Sequence, residues 1–252
     1  MKVAIVLRGQ PRNFRVGYEH LQREIISKYD ADVFAHCWWD ESFVGQNYST
    51  APQAPKNYIA EENLPEKLKD LYNFKKVKYE KPKTFKPKKR YKIKFEHDHD
   101  QLYNVLNSVY YSQNKVLSLL KEYEEENDFE YDWVINTRYD IGIFKPFPNL
   151  NKLDRNKIYV DNYHKNRKYI FNDNLWIFGK HKYAFIDLYE KFDEVYNKMI
   201  YFPPEYIPQV ISTELFEKKV ISGEQHLALH LLFKDILKNV IKTDLLDYNL
   251  IR

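Results

Sequence analysis

Two arginines and a glycine stand together in Arg8-Gly9-Gln10-Pro11-Arg12, directly after the apolar run Val3-Ala4-Ile5-Val6-Leu7. Guanidinium groups pair with phosphate oxygens two points at a time, so this stretch can hold a diphosphate. On its own it also reads as a surface turn with solvated arginines. Neither GxGxxG nor GxxxxGKS occurs, so a dinucleotide fingerprint or a P-loop is not supported. A second stretch, Asn136-Thr137-Arg138-Tyr139-Asp140, ends an apolar run in an acid. A carboxylate there can hold a divalent cation, which in turn bridges the phosphates of a nucleotide. Asp140 is alone, and Arg138 can neutralise charge in place of a second acid. The other reading is an Asp140–Arg138 ion pair or a capped turn. As the only carboxylate of its loop, Asp140 is expected to be the most sensitive single residue.

Asn172-Asp173-Asn174 precedes the apolar Leu175-Trp176-Ile177-Phe178. A carboxylate flanked by amides suits hydrogen bonding to sugar hydroxyls, and it also suits an Asx turn. Ser222-Gly223-Glu224-Gln225 opens a helical pattern with capping-box spacing. Glu224 in a first helical turn is favoured as the anion and can serve as a general base, or it caps the helix and nothing more. His226 and His230 are four apart, as a metal pair on one helix face would be, but no HExxH is present. His97-Asp98-His99-Asp100 is explained by capping and solvation. His36 and Cys37 are neighbours on a predicted strand and point to opposite faces, which rules out a nucleophile pair. His36 alone remains a candidate to face a site.

The elements that would position these residues follow from periodicity. Lys2-Val3-Ala4-Ile5-Val6-Leu7-Arg8-Gly9 reads as a buried parallel strand opening onto a loop. A helix is predicted over 18–29, with Leu21, Ile25 and Ile26 on one face. Asp32-Val33-Phe34-Ala35-His36-Cys37-Trp38 follows as a second strand, which makes a βαβ unit. The pattern gives a short helix over 65–72 and an exposed edge strand or hairpin over 77–94, where Lys and Pro suit an edge. The strongest helix pattern covers 102–123, with Leu102, Val105, Leu106, Val109, Val116, Leu117, Leu120 and Tyr123 at three- and four-residue spacing. Asp98 or Asp100 can cap it. Its acidic end opposes the helix dipole, so fraying is expected there. Strands over 131–136, 158–160 and 175–178 and helices over 183–199 and 222–237 complete the pattern.

The chain has 252 residues with 44% hydrophobic and 30% charged, enough for one large domain with a packed core. Only 6 Gly are present, which excludes Gly-rich repeats and long flexible linkers. The single cysteine, Cys37, excludes a disulfide framework and a cysteine zinc finger. The start lacks the layout of a signal peptide, and no stretch reaches a membrane span, so a cytoplasmic setting is expected. Net charge is +4 but uneven: 75–94 holds ten Lys, one Arg and one Glu, a local +10, so the remainder carries −6. One basic strip on a mildly acidic body argues against a dedicated nucleic-acid binder.

In this order, several segments resemble a group of GT-A-type glycosyltransferases from bacteria and large DNA viruses. They are Ile5-Val6-Leu7-Arg8-Gly9-Gln10-Pro11-Arg12, Asp32 to Trp38, and Tyr110-Tyr111-Ser112-Gln113-Asn114-Lys115 with Tyr123-Glu124. Tyr131-Asp132-Trp133-Val134-Ile135-Asn136-Thr137-Arg138-Tyr139-Asp140, Asp173 to Gly179, and Gly223-Glu224-Gln225-His226-Leu227 follow. The stretch 110–140 is the most specific part, and 42–95 is not covered. The resemblance implies an α/β, GT-A-like fold over 1–252, with a mostly parallel central sheet flanked by helices and a basic Pro/Lys-rich insertion around 42–95. It implies a pocket for a nucleoside-diphosphate sugar at the strand ends. In such enzymes a D-x-D motif binds Mn²⁺ or Mg²⁺ and the donor diphosphate. Here that position reads Arg138-Tyr139-Asp140, one carboxylate short, with Asp140 as the metal candidate. Arg8, Gly9 and Arg12 map to the nucleotide side, joined by His36, Ser112, Lys115 and Arg138. Asp173 and Glu224 map to the acceptor side, Glu224 being the first choice for the base.

The expectation is therefore a hexosyl- or pentosyltransferase acting on a glycan or lipid-linked acceptor, with no specific nucleic acid and peripheral membrane contact as an accessory. The competing expectation is an α/β binding module that docks RNA, anionic lipid or an acidic partner through the strip 75–94. Another nucleotide-using α/β enzyme, such as a phosphohydrolase, is the third.

Overall fold

The computed structural model describes residues 1–47, 59–86, 94–95, 99–162, 171–172, 174–198, 220–221 and 223–251. The chain begins with β1 (Val3–Gly9), α1 (Phe14–Leu21), a π turn (Gln22–Ile26), α2 (Ser27–Tyr29), β2 (Asp32–Trp38), α3 (Leu64–Tyr72) and β3 (Lys76–Glu80). Then come β4 (Lys94–Phe95), α4 (His99–Asn127), β5 (Trp133–Arg138), β6 (Ile141–Ile143), β7 (Ile158–Asp161) and β8 (Trp176–Phe178). It ends with α5 (Phe192–Lys198), β9 (Val220–Ile221), α6 (Gly223–Phe233), β10 (Val240–Thr243) and β11 (Tyr248–Leu250).

Seven strands form the central sheet in the order β10-β7-β8-β5-β1-β2-β3. All its neighbours pair in parallel except β8, which is antiparallel to both β5 and β7. Two-residue alternation sorts the side chains into two layers. Ala4, Val6, Phe34, Val134, Trp176 and Phe178 pack with Tyr110, Val116, Leu117 and Leu120 of α4 and with Leu227 to Leu231 of α6. Val3, Ile5, Leu7, Val33, Ala35, Cys37 and Ile135 pack on the other side with Phe14, Leu21, Leu64, Leu68 and Tyr139. The mostly parallel sheet flanked by helices agrees with the sequence pattern. Within 42–95, α3 packs into the second layer and β3 extends the sheet beside β2.

Several elements differ from expectation for local reasons. The first helix starts four residues early, at Phe14. Helix α4 reaches Asn127 without fraying, because its acids are anchored. Lys76 pairs with Glu122 and Glu126 at 3.3 and 2.7 Å. Buried Glu124 accepts from Lys182 Nζ and from the Tyr131 amide, both at 2.6 Å. Asp100 lies inside α4 rather than ahead of it, Asp98 is outside the described residues, and Val105 points outward at 45% exposure. Residues 181–191 are successive turns, and helix begins only at Phe192. Carbonyls that an α-helix would use are taken by side chains: that of Ala184 by His230 Nε2 and Lys234 Nζ, that of Ile186 by Asn114 Nδ2. Helix α6 ends at Phe233, and Leu237–Asn239 forms a 3-10 turn leading into β10.

Within the strip, β3 stands at the end of the sheet order, and the lysines on and beside it face acids. Lys75 pairs with Asp32, Lys78 and Lys83 with Glu80, and Lys81 with Asp40. No helix among the described residues is long and apolar enough to cross a membrane.

Candidate active site

Parallel pairing brings the carboxyl ends of β1, β2, β3 and β5 to one edge, together with those of β7 and β10. Antiparallel β8 starts at that edge, so Asn172 and Asn174 lie there too. Arg8 is in register with His36 on one side and with Arg138 on the other, forming a polar row across three strands. Alternation puts this row on the α4 side. Arg8 is 4% exposed and lines a small void with Tyr110, Gln113, Asn136, Trp176 and Leu227.

The loop after β1 is fixed at Gly9, whose φ of +96° suits glycine and whose missing Cβ leaves open space. The Gly9 amide donates to Ser112 Oγ at 3.0 Å, and Ser112 Oγ lies 2.8 Å from His36 Nδ1. Ser112 and His36 are fully buried, so they support the loop from beneath and present no open surface to a ligand. Burial lowers the His36 pKa to about 4, which keeps the ring neutral near pH 7. Lys115 stands further out, with Nζ 5.0 Å over the Tyr111 ring. Tyr111 stacks on Trp38 and donates to Glu80 at 2.8 Å.

Asp140 lies beside this row and is 3% exposed. Arg138 grips it in a fork, Nε to Oδ1 at 2.8 Å and Nη2 to Oδ2 at 2.9 Å. Arg12 Nη2 adds a contact to Oδ2 at 3.2 Å. Both carboxylate oxygens therefore face guanidinium groups, and a divalent cation does not fit between one acid and two arginines. Among the described residues no three metal-ligating side chains converge anywhere. The metal role expected of Asp140 is thus not what its neighbours allow, and the ion pair with Arg138 is realised instead.

Arg138 Nη1 also reaches Asn174 Oδ1 at 3.2 Å, which ties the arginine group to a neighbouring cavity. That cavity measures about 490 Å³, and its walls include Asp161, Asn162, Asn172, Asn174, Asp244 and Tyr248. Its lining is rich in carboxylates, amides and a phenol, groups that hydrogen-bond hydroxyls. Asp173 is outside the described residues. The backbone of Glu224 lies in the first turn of α6, one turn ahead of Leu227 beside Arg8.

His226 and His230 do not form a metal pair. Both are buried, and each Nε2 faces a backbone carbonyl, Phe192 O at 3.3 Å and Ala184 O at 3.0 Å. Cys37 is buried on the far face of the sheet, where burial pushes its thiol pKa up. Asp161, Asp244, Tyr248 and Gly17 escaped the sequence reading. Asp161 carries the same signal as Asp140, an apolar run that ends in an acid, whereas Asp244 follows Lys242 and Thr243. Gly17 carries none: a Cβ there would lie 1.8 Å from the Tyr139 carbonyl oxygen, so glycine lets α1 press against the 138–140 loop.

No protein-family model matches the chain, and no curated protein matches it in sequence. Among solved structures, the chain is similar to a glycosyltransferase involved in the glycosylation of the major capsid of PBCV-1, at 10% identity and a TM-score of 0.36, over 97% of this chain and 82% of that one. It is similar to the glycosyltransferase GlyE of Streptococcus pneumoniae, at 11% identity and a TM-score of 0.39, over 97% of this chain and 46% of that one. It is also similar to mouse xyloside xylosyltransferase 1, at 10% identity and a TM-score of 0.38, over 96% of this chain and 85% of that one.

Proposed function

We propose that the chain is a glycosyltransferase that moves a hexosyl or pentosyl group from a nucleoside-diphosphate sugar to a hydroxyl acceptor on a glycan or lipid-linked glycan. One observation carries this reading: three arginines, Arg8, Arg12 and Arg138, gather at the carboxyl ends of adjacent parallel strands, next to a polar cavity tied to them through Asn174. Ligands of open α/β sheets bind at such strand ends. Guanidinium groups there suit a diphosphate, and amides with carboxylates suit sugar hydroxyls.

In the transfer, the bond from the anomeric carbon to the diphosphate oxygen breaks and a bond to the acceptor oxygen forms. The leaving oxygen gains negative charge, which fixed arginines stabilise. The acceptor hydroxyl loses its proton to a carboxylate, with Glu224 the first candidate and Asp173 the second. Lys75, Lys76, Lys78, Lys81 and Lys83 of the basic strip are already paired with acids, which weakens the binding-module reading for that part of the strip.

The test is a melting-temperature panel with UDP-, GDP- and TDP-sugars. A ligand present at 100-fold its dissociation constant adds about 2.7 kcal/mol. One nucleotide class should stabilise the chain, and Arg8→Gln and Arg138→Gln should abolish the response while still melting cooperatively. No response to any of the three classes would defeat the reading.

A further inference from the structure

Two strands and a helix meet at the hydroxyl of Ser112. Gly9 ends β1, opposite Cys37 of β2 and one residue past the last pair with β5, Arg8 opposite Arg138. Its amide donates to Ser112 Oγ, 103 residues away on α4. With the Gly9 amide donating to Oγ, the Ser112 hydroxyl hydrogen is free to donate to His36 Nδ1. His36 Nε2 lies 4.0 Å from Glu80 Oε2 on β3, beyond hydrogen-bond distance. The groups around this ring are the Trp38 and Tyr111 rings, Ser112 and Glu80, with Lys78 and Lys83 held on the far side of Glu80.

We propose that Ser112 and His36 are positioning residues that hold the 8–12 turn ready for the diphosphate through the Gly9 amide, and that neither touches the substrate. The inference rests on the glycosyltransferase reading only for what the turn binds. Two features support it. A buried Ser–His pair is a costly way to fill space that apolar side chains would fill without desolvation. Ser112 takes the amide of Gly9, the residue at φ +96° between the Arg8 and Arg12 positions, where the strand stops and the turn begins. Burial keeps the imidazole neutral, and either ring tautomer leaves Ser112 Oγ a lone pair to accept the Gly9 amide.

The experiment reads amide hydrogen exchange at Gly9 in the ligand-free protein, alongside the affinities for UDP, GDP and TDP. Ser112→Ala should speed Gly9 exchange at least tenfold and weaken binding of the preferred nucleotide about tenfold, while cooperative melting persists. Ser112→Thr, which keeps the hydroxyl, should restore both. His36→Asn, which can still accept from Ser112, should stay closer to wild type than His36→Leu in both readouts. Weakened binding with unchanged Gly9 exchange in Ser112→Ala would overturn the proposal and make Ser112 a direct contact. Faster exchange with unchanged affinity would overturn it as well. If wild type binds none of the three nucleotides, the glycosyltransferase reading fails, and the exchange result alone decides whether Ser112 and His36 hold Gly9.

Discussion

Asp140 holds two guanidinium groups with one carboxylate, and that arrangement sets what its loss should do. Asp140→Asn keeps the shape but removes the charge that Arg138 and Arg12 face. Stability should fall by about 1–3 kcal/mol, the cost of leaving charged donors poorly paired. Affinity for the nucleoside diphosphate should hold or rise, because the competing anion is gone. Isothermal titration with and without Mn²⁺, paired with urea melts, checks this. A loss of nucleotide affinity beyond tenfold would restore Asp140 as a direct ligand of metal or phosphate. Gly17 acts on the same loop from the other side. Gly17→Ala forces a methyl group onto the Tyr139 carbonyl, 1.8 Å from the new Cβ. Overpacking of this kind costs about 1–3 kcal/mol, and the shift of Arg138 and Asp140 should weaken nucleotide binding too. Melts and titrations of the Ala variant at wild-type levels would show that the contact relaxes at no cost to the site.

Between elements, the critical joint is Lys182 with Glu124. Lys182 is 6% exposed and bridges the turns after β8 to the end of α4, while Glu124 also accepts from the Tyr131 amide and the Tyr183 hydroxyl. Lys182→Met should cost about 3–5 kcal/mol, because it strands a buried carboxylate, and Lys182→Met with Glu124→Leu should recover part of that. Urea denaturation measures both, and a Lys182→Met protein within about 0.5 kcal/mol of wild type would rule the joint out. This joint also shows how far sequence reasoning reaches. The strand β1 was legible because Val3 to Leu7 is apolar on both faces, and α4 because its apolar residues keep helical spacing. The acidic end of α4 reads locally as a frayed terminus, and Lys76 and Lys182, both distant in sequence, reverse that. The turns at 181–191 were likewise illegible. Their apolar residues fit a helix, but side chains of His230, Lys234 and Asn114 claim carbonyls that a helix would need. At the site, the loops after β1 and β5 were legible because each follows an apolar run. The burial of Ser112 and His36 beneath Gly9, and the pairing of Arg12 with Asp140, depend on strand register, which spacing within one segment does not encode.

At the scale of the molecule, three neutral histidines sit inside the α4 and α6 layer of the fold, and they govern its response to acid. Burial lowers the pKa of His36 to about 4, of His226 to about 3 and of His230 to about 4. In the unfolded chain each titrates near 6.5. Between about pH 6.5 and 4 the unfolded state therefore binds more protons than the folded state. Stability is fully present above pH 6.5 and is lost as pH falls through that window, at up to about 1.4 kcal/mol per pH unit for each histidine. A second, separate loss lies lower. Hydrogen bonds from Lys28 and Arg23 hold Glu24 at about 2, and one from Arg15 holds Glu61 at about 2. These carboxylates contribute above pH 4.5, and their contribution fades as pH falls toward 2. The expected urea midpoint is flat from pH 7.5 to 6.5, declines steadily to pH 4.5 and drops further below that. Replacing His226 and His230 by Gln together should lower overall stability but flatten the slope between pH 6.5 and 4.5, since two of the three titrating rings are gone. His36→Asn in the same background should flatten it further. A wild-type midpoint that stays constant from pH 7 to pH 5 would mean that these rings are not held neutral by burial.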